Sequence, residues 1–240
     1  MFSCSDKGFN QEGAFRFVEG VLFLRFKSQV LKVTQILKGA IRRNILIVKA
    51  TSLAFFIMLA VAIIGSVIVF CLVPSASDSL SSIVQTVFDY DDVPGPFTLD
   101  FFSYIFTNNS GHFWNPIRML VWVPAVGPLL LGFEILLNSG VIGVVAVMVG
   151  MNNGLAYPII GLVPHGIIEI PAFLLQFACI VLWQATVTEV ILAKLRGKQV
   201  DTKKAKRGLK DTLILAVASI ILLFVAAAIE TYVTPYLLGL

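Results

Sequence analysis

His165 and Glu169 stand four residues apart in LVPHGIIEIPAFL (162–174), a stretch that is otherwise almost wholly apolar. On a helix that spacing puts both side chains on one face. A charged group at the centre of an apolar span costs roughly 2.5–3.5 kcal/mol on insertion scales, so one that is kept there needs a partner. Glu230, in VAAAIETYVTP near the end of the last apolar run, is the candidate. A neutral imidazole with two carboxylates can ligate zinc or another divalent metal. The same three groups can lock two helices together, one carboxylate being protonated. They can also relay protons or ions. The residue types leave all three readings open, because buried polar groups must be satisfied in some way.

The surrounding prolines shape this stretch. Pro164 suits the first turn of a helix, where its missing N–H has no partner to lose. A helix is therefore expected to begin near Pro164. Pro171 then removes a donor about two turns in, frees the carbonyl near Ile167 and predicts a kink.

Composition says what must hold these residues. The chain has 240 residues, 58% hydrophobic and 13% charged, with a mean hydropathy of +0.90. A soluble domain carries about 25% charged residues, so this chain reads as an all-α, polytopic transmembrane bundle. Cys4, Cys71 and Cys179 are scattered and odd in number, which fits neither a disulfide framework nor a metal-ligand pair. The polar start MFSCSDKGFNQEG is not a cleavable signal peptide, and the first long apolar run begins near Ile45.

Charge maps the topology. Of the 18 Lys and Arg, nine lie between Lys7 and Lys49, eight between Lys194 and Lys210, and one is Arg118. Residues 74 to 112 hold no Lys or Arg but five Asp. Basic flanks stay cytoplasmic, so residues 1–44 and the loop 194–210 are expected inside and the loop 74–112 outside. Five spans follow: 45–73, 113–136, 138–156, 164–193 and 211–233, within a transmembrane domain covering 45–240. The C-terminus then lies outside. VPAVGPLLLG (123–132) carries two prolines and two glycines, which mark a kinked or a broken helix. In this scheme Glu134 and Glu189 lie near the inner surface, within reach of headgroups or Lys194. Arg118 lies near the outer surface, free to anchor phosphates or pair with a carboxylate.

Two further segments have readable roles. Phe15, Val18, Leu22, Phe26, Val33, Leu37 and Ile41 recur at helical spacing, with Arg16, Lys27, Lys32, Lys38 and Arg42 largely elsewhere. This predicts a basic amphipathic helix lying on the inner leaflet or packed beneath the spans. Nucleic-acid binding is disfavoured, because the bias for basic residues beside cytoplasmic span ends already explains the charge. TLDFFSYIFTNNSGH (98–112) is aromatic-rich and predicts a short interfacial helix. FDYDD lacks the ligand spacing of a calcium loop and reads as a solvated acidic loop.

Taken together, VPHGIIEIPAFLL, AAAIETYVTP, FTNN and LNSGVIG resemble the stage II sporulation protein M family. The matching positions are Pro164, His165, Gly166, Glu169, Pro171 and Ala172; Asn108 and Asn109; Asn138, Gly140 and Gly143; and Glu230, Thr234 and Pro235. Ser139 departs from the pattern by separating Asn138 from Gly140. The resemblance covers residues 40 to 240 and implies a multi-pass membrane protein. Members in spore-forming bacteria act in septal wall remodelling and engulfment with partners that degrade peptidoglycan; relatives also occur in bacteria and archaea that do not sporulate.

The favoured function is a non-enzymatic membrane scaffold or remodelling protein, with other membrane proteins or a second copy of the chain as partners. Gly140 with Gly143, and Ala226 to Ala228, suit helix association. One alternative is an intramembrane metal-dependent hydrolase, with His165, Glu169 and Glu230 around the metal; the sequence has no HExxH motif and no separate general base. The other is a small-solute or ion transporter, suited by broken helices near VPAVGP and NNGLAYP.

Overall fold

The computed structural model describes residues 11–73, 75–76, 79 and 93–240, with side chains from Arg25 onward except at position 26. Residues 1–10 with Cys4, most of the acidic loop with FDYDD, and the side chains of Phe15, Val18, Leu22 and Phe26 lie outside the described residues. Every described element is helical. In order they are α1 (Gln11–Arg43), α2 (Ile45–Leu72), α3 (Leu99–Asn109), α4 (Gly127–Asn153), α5 (Ala156–Leu195), α6 (Thr202–Tyr232) and α7 (Thr234–Leu238), with 3-10 turns at Gly111–Phe113 and Arg118–Trp122.

Four helical stretches are long and apolar enough to cross a bilayer: Ile45–Leu72, Gly127–Asn153, Ala156–Leu195 and Thr202–Leu238. Helices are what such sequences must form, because a backbone in hydrocarbon has to satisfy its own hydrogen bonds. The expected spans 113–136 and 138–156 do not exist as two helices. Residues 127–153 form one helix, and 113–126 are turns. The apparent boundary at Asn138 and Ser139 is absorbed locally. Asn138 Nδ2 donates to the Glu134 carbonyl at 2.8 Å, and Ser139 Oγ to the Ile135 carbonyl at 2.6 Å. Pro128 sits in the first turn of α4, and Gly154 (φ 85°) ends it.

Contacts between helices fix which ends lie together. Arg43 pairs with Asp211 at 2.6 Å, Asn44 bonds the same carboxylate at 3.0 Å, and Glu189 pairs with Lys204 at 2.6 Å. The start of α2, the end of α5 and the start of α6 therefore share one end, called here the basic end. Gly143 of α4 lies against Ala62 and Ile63 of α2, and Ile135 lines a groove with Ala50 and Thr51. So α4 runs parallel to α2, away from the basic end. At the far end, called distal, Phe97 N–H donates to the Thr231 carbonyl at 3.2 Å, and His165 meets Thr234.

The return from the distal end has no continuous helix. Phe102 and Phe106 of α3 pack on Phe224. His112 stacks edge-on against Phe177, and Trp122 against Trp183. Pro124 and Pro128 then line a groove with Thr188, Glu189 and Leu192 near the basic end. Residues 97–126 thus traverse the bundle as a short helix, two turns and a proline-rich link. Four continuous helices and one broken passage give five traverses. The aromatic segment is the helix α3, but it packs along α6 as the first part of this passage.

The carbonyls that the broken passage leaves free are taken by side-chain donors. Trp114 Nε1 donates to Thr107 O (3.2 Å), Arg118 Nη1 to Asn108 O (2.5 Å), Gln176 Nε2 to Asn109 O (3.4 Å) and Trp122 Nε1 to His112 O (2.8 Å). Gln184 Nε2 donates to Val121 O (2.6 Å) and Trp183 Nε1 to Trp122 O (2.9 Å). Irregular backbone is tolerated at membrane depth only when protein satisfies it in this way. Gly127 is required beside it: a Cβ there would collide with the Val121 carbonyl and approach Gln184 Nε2 to 2.7 Å.

The packed centre is the α5–α6 pair. Phe177, Ala178, Cys179 and Ile180 of α5 and Leu215, Leu223 and Ala227 of α6 are fully buried. Half of the apolar window of α5 is buried, against 17% of that of α2. Ser219 Oγ reaches across to the Ala172 carbonyl at 2.9 Å. Small residues let these backbones approach. At 40 residues α5 is about 60 Å long and so overhangs a ~30 Å hydrocarbon core.

Candidate functional site

Helix α5 begins at Ala156, not at Pro164, so both Pro164 and Pro171 are interior. A proline inside a membrane helix is accommodated when neighbouring groups compensate. The i, i+4 relation of His165 and Glu169 is unaffected. Both face α6 and the α6–α7 corner, where Pro235 sits in the first turn of α7.

His165, Glu169 and Glu230 each offer one ligand atom such that all three lie within 4.8 Å of one another. His165 Nε2 is 3.8 Å from Glu169 Oε2. The atoms on the other side of these groups are held by protein. His165 Nδ1 lies 3.2 Å from Thr234 Oγ1. Glu169 Oε1 accepts from Asn109 Nδ2 at 2.6 Å. Asn109 is held in turn by Gln176 Nε2 at its carbonyl. Glu230 forms no hydrogen bond or ion pair among the described residues. The His165 side chain is 8% exposed and that of Glu169 is 15% exposed, so water screens them little. This donor set could hold a divalent ion.

A second cluster lies deeper, where the broken passage meets α4. Arg118 Nη2 is 3.5 Å from Glu134 Oε2, which also lies 3.4 Å from Asn138 Nδ2 and 3.6 Å from His112 Nε2. Glu134 therefore points into the bundle rather than towards headgroups, and Arg118 pairs with this carboxylate, one of its two expected roles, at this depth rather than at the outer surface. Glu189 pairs with Lys204, not Lys194. For Arg118 and Glu134 the reason is that the broken passage changes the depth at which each sits; Glu189 stays near the basic end, where the start of α6 brings Lys204 to it.

His112 was not singled out by the sequence. It is fully buried, and both ring nitrogens lack a hydrogen-bond partner within the described residues. Gln176 and Gln184, buried donors to the broken passage, were also not singled out. The available signal was their amide side chains inside an apolar run. Among the supporting glycines, Gly143 is a close contact, whereas Gly140 and Gly166 face open space.

A bundle of apolar helices, crossed by a discontinuous segment and holding buried His and Glu clusters, defines a polytopic helical membrane protein with intramembrane polar sites. Its motifs lie at the contacts just described: Asn109 on Glu169, His165 on Thr234, and Gly143 on α2. The stage II sporulation protein M family matches residues 44–235, and the chain belongs to that family. No curated protein and no solved structure matches it.

Proposed function

We propose that this protein is a non-enzymatic scaffold that shapes or organises the cell membrane, with α1 on the cytoplasmic face and the C-terminus outside. The observation that carries this reading is α1. It is a 33-residue helix whose apolar residues Val30, Leu31, Val33 and Ile36 are exposed, alongside Arg25, Lys27, Lys32 and Lys38. It meets α6 and α2 through its last turns, where Leu37 and Ile41 pack on the core and Arg43 pairs with Asp211. A basic helix with uncovered apolar side chains binds anionic headgroups and inserts shallowly, which biases curvature. The cytoplasmic placement is supported by the Lys and Arg clusters at the basic end. Lateral partners, whether other membrane proteins or further copies, would meet α2 and α4, the least buried spans.

The test uses the full chain reconstituted in giant vesicles containing anionic lipid. Vesicle deformation or protein clustering is expected, and its loss in a Val33→Asp, Ile36→Asp variant. Vesicles whose shape and protein distribution are the same with both proteins would overturn the reading. A second reading, a small-solute or ion transporter, is favoured by the broken passage through residues 97–126. Ion flux through proteoliposomes, abolished by Glu134→Gln, would select it instead.

A further inference from the structure

We infer that His165, Glu169 and Glu230 form a divalent transition-metal site at the distal end of the bundle, of the class that takes zinc. The inference does not depend on the scaffold reading. It rests on how each group is divided between an inner and an outer side. The inner atoms, His165 Nε2, Glu169 Oε2 and a Glu230 oxygen, converge to within 4.8 Å. The outer atoms of His165 and Glu169 are tied to Thr234 and Asn109. Metal-bound histidines and carboxylates are oriented by partners on the far side in this manner. When His165 Nδ1–H donates to the Thr234 hydroxyl, Nε2 keeps a lone pair facing the carboxylates, the tautomer a metal ligand needs.

Charge balance points the same way. Two carboxylates close together in apolar surroundings need either a proton or a cation between them, and a cation satisfies both along with the imidazole. Among the described residues no Lys or Arg forms an ion pair with either carboxylate: the Lys and Arg pairs join Arg43 to Asp211, Arg118 to Glu134 and Lys204 to Glu189. Glu230 has no other partner among the described residues. One imidazole with two carboxylates suits zinc, and three protein ligands leave a fourth position for water or an external group. Ligand atoms around a tetrahedral ion at ~2.0–2.1 Å lie about 3.3 Å apart. The groups therefore have to close by about 1.5 Å at most, which rotation of the two glutamates supplies.

The three residues come from two helices, with Thr234 beyond the break that follows Tyr232. A bound ion would pin α5, α6 and α7 together. The full chain, purified in detergent and stripped with chelator, is dialysed against zinc chloride. About one zinc per chain is expected, falling at least tenfold in occupancy at limiting zinc in Glu230→Gln and in His165→Ala. Both variants are first checked for monodisperse elution. X-ray absorption of the wild-type chain gives a reading that does not depend on any variant folding: an N/O shell with one imidazole is expected. A folded wild-type chain that takes up no zinc would overturn the inference. So would undiminished zinc in both variants, or a first shell containing sulfur.

Discussion

Replacing Gln184 with Leu removes one hydrogen bond at the most constrained point of the broken passage. Gln184 is buried, and its amide donates to the Val121 carbonyl at 2.6 Å. That carbonyl belongs to a 3-10 turn, and no helix continues past it to supply another donor. In soluble proteins a buried carbonyl left unpaired costs ~1–3 kcal/mol. Side-chain hydrogen bonds between membrane helices average only ~0.6 and reach ~1.7 kcal/mol, since the unfolded chain in a membrane also finds partners. Val121 lies in irregular backbone and not in a helix, so the upper part of that range applies, ~1.5 kcal/mol. The assay is equilibrium unfolding in mixed micelles, followed by Trp fluorescence, with exposed Gln199→Leu as the control. Leu is close to Gln in volume, so packing changes little. A loss below ~0.3 kcal/mol relative to the control would refute the claim that side chains sustain this passage. Gly127→Ala should be at least as damaging, because its Cβ meets the same carbonyl and the same amide.

Other outcomes follow from the same geometry. Gly143→Ala should cost ~1–3 kcal/mol through overpacking, because its Cβ would come within 2.8 Å of Ala62 Cβ; Gly140→Ala, facing open space, should change stability by less than ~0.5 kcal/mol in the same unfolding assay. Arg43→Ala leaves Asp211 (side chain 3% exposed) without its charged partner, holding only the Asn44 amide; because Arg43 itself is 45% exposed, the loss should be ~1–2 kcal/mol rather than that of a fully buried pair, read as a fall in melting temperature. In a background lacking the native cysteines, Gln199→Cys and Leu240→Cys should react with an impermeant maleimide from opposite sides of a vesicle. Labelling from one side would refute five traverses.

Much of the architecture was legible because hydropathy and charge act over long windows. The apolar runs gave α2 closely and the C-terminal ends of α5 and α6, whose helices begin at Ala156 and Thr202 rather than near 164 and 211, and segregated Lys and Arg placed two of their ends together. The His165, Glu169 and Glu230 juxtaposition was legible for a related reason: an i, i+4 pair and one carboxylate, each near the same end of its run. The broken passage was not. Hydropathy averages over VWVPAVGPLLL and reports a span, whereas the two prolines and Gly127 stop a helix within it. Conversely, Asn138 and Ser139 looked like a boundary, yet each bonds back to the preceding turn and the helix continues. Those two local events shift α4 by half a span. Every depth assigned to Arg118 and Glu134 shifts with it.

Only Asn44 separates α1 from α2, and hydrogen bonding is nearly unbroken through it: Asn44 N–H reaches Ala40 O at 3.2 Å, and Val48 N–H reaches Asn44 O at 3.1 Å. Its side chain, with that of Arg43, is fastened to Asp211 of α6. In mechanical terms α1 is an arm about 50 Å long, with its fulcrum at Asn44 and its stay anchored on a different helix. A rotation of about 5° between α2 and α6 would carry the free end of that arm by about 4 Å. Any small rotation of α2 against α6 would therefore be multiplied at the Gln11 end of α1.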